Sequence, residues 1–151
     1  MAVTTQTIKE LREITGAGIV DCRNALEESG GDLEKAKDIL KKRGLEKAAR
    51  KVDRDAGVGQ IFTYSHQGRI GVLLELSCET DFVARTEDFA LLGKELAMQV
   101  SAMRPENVDD LLGQAYIRDA KKSPADLIKE TISKVGENIV LRRFIRFEVG
   151  E

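Results

Sequence analysis

Between Gly57 and Gly59 the apolar residues of this chain stop recurring every three or four positions and begin to alternate. A helix buries a stripe with a period of about 3.6 and a half-buried strand one with a period of 2, so the chain divides into a helical part and a sheet-building part. That order defines an α+β protein.

Upstream of the switch, Ile8, Leu11 and Ile14 share a face of a first helix, which Thr7 caps and Gly16-Ala17-Gly18 ends. Ile19 and Val20 open a second helix carrying Cys22, Ala25 and Leu26, stopped by Ser29-Gly30-Gly31. Asp32 caps a third, with Leu33, Ala36, Ile39 and Leu40, which ends at Gly44. From Lys41 to Arg54 seven basic residues face only Glu46 and Asp53, over Leu45, Ala48, Ala49 and Val52 at helical spacing. Residues 1–54 thus read as a three-helix N-terminal domain with a basic helical linker, and 55–151 as an α+β core.

Downstream, Ile61 to Tyr64 and the alternating Ile70, Val72, Leu74, Leu76 and Cys78 form a hairpin around Gln67-Gly68. After the corner CETDFVAR, Thr86 caps a long helix with Phe89, Leu92, Leu96, Val100 and Met103, stopped by Arg104-Pro105. Val108, Leu111, Leu112 and Ala115 form a short helix, and Ser123-Pro124 starts another that Gly136 ends. In the closing NIVLRRFIRFEV, strict alternation puts Ile139, Leu141, Ile145, Phe147 and Val149 on one face and Arg142, Phe144 and Arg146 on the other. The core is expected to be a three-stranded antiparallel sheet with helices on one face.

A charged fraction of 33% beside 42% hydrophobic residues is that of a soluble globular chain, with no run of the roughly 18 apolar residues a membrane span needs. The polar start MAVTTQTIKELRE lacks a secretory signal, so the cytosol is the expected compartment. Cys22 and Cys78 have no metal-site spacing and read as reduced, structural thiols. His66 is the sole histidine, which leaves no material for a nucleophile–histidine dyad. Glu79 and Asp81 read as solvated rather than catalytic carboxylates, and no phosphate-binding loop is present. The chain therefore reads as neither an enzyme nor a cofactor or metal binder. A different class, RNA binding through Lys41 to Arg54 with Arg142, Arg143 and Arg146, is the alternative; without interleaved aromatics nucleic acid is not the expected partner.

The segments KELREITGAGIVDCRNALEESGGDLEKAKDILKKRG, ETDFVAR and KVGENIVLRRF together closely resemble bacterial elongation factor Ts, the exchange factor for elongation factor Tu. The resemblance implies a ubiquitin-associated-like fold for the first three helices. It also implies a function: promotion of GDP release from elongation factor Tu, met in its GDP-bound and nucleotide-free forms. Thr80, Asp81, Phe82 and Val83 match the corner pushed toward the partner's magnesium and phosphate site. Arg12, Ile19 and Val20 match positions that touch a helix near its guanine side. Without the resemblance, Phe82, Ile19 and Val20 would read as ordinary core and Asp81 as a turn cap. Long members carry a second core subdomain and a helical hairpin, whereas here only Pro105 to Ser123 joins the core helix to the closing segment. Short members are thought to pair their cores, and an outward Phe144 would make this chain a homodimer through that side of its sheet.

Overall fold

The structure is a computed structural model describing residues 2–151. The helices are α1 (Thr5–Thr15), α2 (Ile19–Glu28), α3 (Leu33–Ala49), α4 (Asp81–Ala84), α5 (Glu87–Met103), α6 (Val108–Gly113) and α7 (Pro124–Val135). Strands β1 (Val58–His66), β2 (Ile70–Cys78) and β3 (Val140–Glu148) form one antiparallel sheet in the order β1-β2-β3. The expected α+β class, with a helical N-terminal part and a three-stranded sheet, is what the chain adopts.

Local chemistry explains most boundaries. The cap of α1 is Thr4 rather than Thr7: Thr7 N donates to Thr4 Oγ1 (3.2 Å) and Thr4 N donates back to Thr7 Oγ1 (3.0 Å), a reciprocal box. Gly16 closes the helix in the left-handed region at φ 69°. Gly44 does not end α3, which runs on to Ala49. A mid-helix glycine costs only about 1 kcal/mol relative to alanine, and α3 passes close to α7 at this point, where a Cβ would approach the movable Ser133 Oγ to 2.3 Å. The basic linker is thus largely the C-terminal half of a continuous helix. Several of its cations are paired, Arg43 with Glu28, Lys47 with Asp21 (3.5 Å) and Arg54 with Glu79 (3.8 Å).

Two apolar clusters result. A small one gathers Leu11, Cys22, Ala25, Leu26, Ala36 and Leu40 among α1, α2 and α3. The larger packs α5, α7 and Ala48 of α3 against Val72, Leu74, Leu76 and Cys78 of β2, the inward set that the alternation predicts. Phe62 of β1 meets Phe89 with ring centroids 5.8 Å apart.

The closing strand departs from strict alternation. Leu76 pairs with Leu141 but Glu75 pairs with Arg143, so Arg142 is an extra residue, a bulge that shifts the phase by one. Beyond it Phe144 faces inward, packed on the core, and Arg146 donates from Nε (3.2 Å) and Nη2 (3.1 Å) to the Ser101 carbonyl near the end of α5. Ile145 and Phe147 face outward instead, joining Ile61 and Leu73 on the open face of the sheet. An outward Phe144, the ground for the expected homodimer, is therefore wrong. The apolar patch lies on the open face and consists of other residues.

Candidate functional site

The corner that follows β2 is a helical turn, α4, fixed from both ends. Thr80 caps it, its Oγ1 accepting from Val83 N at 3.3 Å. Val83 and Ala84 are buried in the larger cluster, and Gln60 Nε2 of β1 donates to the Ala84 carbonyl. Thr86 then caps α5 by accepting from Phe89 N at 3.3 Å. Because the inward residues of this turn are Val83 and Ala84, Asp81 and Phe82 project outward. Phe82 is 82% exposed, the most exposed of the large apolar side chains among the described residues. The core reading of Phe82 is excluded, and so is the cap reading of Asp81, since the cap is Thr80.

A second segment braces this corner. The turn after α7, with Gly136 left-handed at φ 78°, brings Glu137 and Asn138 beside Glu79 and Thr80. Glu137 Oε1 accepts from Thr80 N (3.0 Å) and Oε2 from the Thr80 hydroxyl (2.7 Å). Asn138 N donates to Glu79 Oε1 (2.7 Å), and its buried amide donates to the carbonyls of Val52 (3.1 Å) and Arg54 (2.7 Å). Beneath, Cys78 Sγ donates to the Thr80 carbonyl at 3.2 Å; burial pushes its thiol pKa up, and the Glu137 charge adds to this. Such a thiol is held neutral and serves packing. Sequence reasoning missed Glu137 and Asn138 as corner residues. Their signal was a polar pair lodged between a helix-ending glycine and an apolar strand.

The N-terminal candidates lie on the other cluster. Arg12 is exposed, and so are Ile19 (57%) and Val20 (68%), with Ile14 nearby on α1. Ile19 and Val20 are therefore not core residues: α2 turns Cys22, Ala25 and Leu26 inward. A cleft of about 570 Å³ runs between the Gly16–Gly18 turn, α3 and α7, lined in part by Ile14, Lys41, Gly44 and Lys134, and it includes no corner residue. Of the arginines proposed for RNA, Arg142 donates to the Ala56 carbonyl (2.8 Å), Arg143 pairs with Glu75 (2.8 Å), and Arg146 is committed to Ser101 and Glu148. Among the described residues no cluster of His, Cys, Asp or Glu could hold a metal ion, and no helix is long and apolar enough to cross a membrane.

Exposed apolar side chains are thus presented in two places, Phe82 on a braced turn and Ile19 and Val20 at the start of α2. The Elongation factor TS family model matches residues 79–151, from the corner to the end of the chain. The full chain is 41% identical, over 195 aligned positions covering 100% of it and 98% of the relative, to an elongation factor Ts of Thermodesulfovibrio yellowstonii. It is 44% identical to one of Thermoanaerobacter sp. (strain X514), with 99% and 96% covered, and 42% identical to one of Coprothermobacter proteolyticus, with 100% of each covered. The aligned length exceeds the 151 residues of this chain, so these relatives carry a segment without counterpart here. Likeness of this extent places the chain among the translation elongation factors. It belongs to the elongation factor Ts family.

Proposed function

We propose that the chain is a guanine-nucleotide exchange factor that promotes GDP release from elongation factor Tu in the cytosol, by inserting the Thr80–Val83 corner beside the magnesium and phosphate site. The observation that carries this reading is a phenylalanine 82% exposed on a turn fixed at both ends. A free aromatic on a rigid support suits insertion into a partner, because little ordering is left to be done on docking. Phe82 and Asp81 form the wedge, Thr80 its cap and Val83 its buried anchor. Arg12, Ile19 and Val20 form a second contact, on an N-terminal unit of residues 1–54 beside a core of 55–151.

The mechanism is linkage. A GTPase holds GDP through loop amides and a bridging magnesium ion, so a group that displaces that loop or ion weakens the nucleotide, and the nucleotide weakens the factor equally. Each tenfold loss of GDP affinity requires about 1.4 kcal/mol, and burying one phenylalanine supplies about 1.5–3 kcal/mol. Phe82 accounts for one or two decades. The N-terminal contact and the lost magnesium interactions supply the remainder, and Asp81 adds a carboxylate that repels phosphate.

The open face of the sheet, with Ile61, Leu73, Ile145 and Phe147, pairs with a second copy about a two-fold axis, which covers it without another subdomain. Mixing the chain with elongation factor Tu loaded with fluorescent GDP tests the central reading. Release should accelerate in proportion to the added chain, and an unchanged rate rejects the proposal.

A further inference from the structure

We propose that Glu137 is a positioning residue for exchange: its carboxylate sets the direction in which Phe82 leaves the surface. This inference rests on the exchange reading above.

The capping hydroxyl of Thr80 must turn a lone pair toward Val83 N, and it has one proton to place. Glu137 Oε2 takes that proton at 2.7 Å, while Oε1 takes the Thr80 backbone N–H at 3.0 Å. One carboxylate therefore fixes both the peptide and the side-chain rotamer of the residue from which α4 starts, two positions before Phe82. Such bonds to a charged acceptor are stronger than neutral ones. Glu137 is itself set by its neighbours, the left-handed Gly136 before it and Asn138 after it, whose N–H binds Glu79. The far side of the turn is held by Val83 and Ala84 in the core. Without Glu137 the anchored side would remain while the side bearing Asp81 and Phe82 lost its brace. The ring would stay exposed but would sample several directions, and docking would have to select one.

The chain contains no tryptophan, so Phe82→Trp installs a single reporter on the corner. Time-resolved fluorescence anisotropy of that variant should show restricted motion, and adding Glu137→Ala should release it into fast, wide local motion. In the chain with Phe82 retained, Glu137→Ala should slow stimulated GDP release about ten- to a hundredfold, the scale set by a small misplacement. Glu137→Gln should fall between, because its amide oxygen accepts the Thr80 N–H but its NH₂ cannot accept the hydroxyl proton. Unchanged anisotropy on adding Glu137→Ala overturns the proposal, as does a freed reporter with exchange unaltered. A collapsed melting temperature with the rate per folded molecule preserved would assign Glu137 to folding instead. If the wild-type chain itself leaves GDP release unaltered, the exchange reading fails first, and that outcome is read before any variant is made.

Discussion

Phe82 keeps its ring in water although α4 buries Val83 and Ala84 on its other side. A side chain that touches little of its own fold contributes little to its stability. Phe82→Ala should therefore shift the thermal midpoint only slightly and cut stimulated GDP release at least about tenfold, the equivalent of roughly 1.4 kcal/mol. A stability loss of about 3–5 kcal/mol, as for a core truncation, would contradict this. Two glycines offer the opposite contrast. A Cβ on Gly93 would lie 2.3 Å from ring carbons of Phe62, which packs against Phe89, whereas one on Gly44 would meet the exposed Ser133 hydroxyl at the same distance. The ring has no room to retreat, but the hydroxyl can rotate away. Gly93→Ala should cost about 1–3 kcal/mol in chemical denaturation, and Gly44→Ala should be close to neutral.

At the scale of elements, the segment between α5 and α7 is held down by α5 itself. Gln99, fully buried, donates to the Ala115 carbonyl (3.0 Å) and accepts from Ile117 N (3.0 Å), and Glu95 accepts from the Tyr116 hydroxyl and from Arg118 Nε (2.7 Å). Burial acts to raise the Glu95 pKa, but Tyr116 and Arg118 outweigh it and hold the carboxyl below its ordinary 4.5. Its contribution to stability is thus present above pH 4.5 and lost as the pH falls through the lower folded value. Burial first, then Glu95, pushes Tyr116 up to about 12 from an ordinary 10.0, so its contribution is complete below pH 10.0 and disappears toward about 12. Alkaline titration followed by tyrosinate absorbance should show a step displaced to about 12 that Tyr116→Phe abolishes. Of this strap the short helix α6 and the cap at Ser123 were legible in the sequence, but its anchoring was not, because Glu95, Gln99 and Tyr116 are joined across the chain only by the fold. The hairpin and α5 were legible, since alternation and a threonine cap are local signals. The phase of β3 was not: one extra residue at Arg142 reverses every later side chain, and the bond that Arg142 makes at the bulge, to the Ala56 carbonyl, involves a segment distant in the sequence. For the candidate site, the exposure of Phe82 contradicted its apolar character and came from the motif alone, while Glu137 and Asn138 required the fold.

For the whole molecule, the open sheet face predicts sedimentation at about twice the 16.7 kDa chain mass at micromolar concentration. Phe147, 71% exposed, marks the center of the test: Phe147→Glu should return the mass to that of one chain, while a monomeric wild type would rule out the pairing. Deleting residues 1–54 should destabilize the remainder, because Ala48 leaves the larger cluster and the Asn138 amide loses both carbonyl partners, at about 1–3 kcal/mol for each buried group left unpaired. Thermal unfolding of the fragment checks this, and an undiminished midpoint would refute it. The N-terminal contact is better probed by Arg12→Ala, Ile19→Ala and Val20→Ala in the full chain, which should slow exchange with the core intact. The uninterrupted course of α3 has its own consequence. It gives Leu40 to one cluster and Ala48 to the other, so under the docking proposed above its 17 residues, roughly 25 Å of rod, would act as the beam of a caliper whose jaws are Ile19–Val20 and Phe82. The jaws have a phase as well as a gap. One residue inserted between Leu40 and Ala48 turns the first jaw by about 100° about the beam, whereas four restore its bearing to within about 40° and move it about 6 Å outward. Grip on a partner should therefore vary with the length of this helix as a screw thread does, periodically.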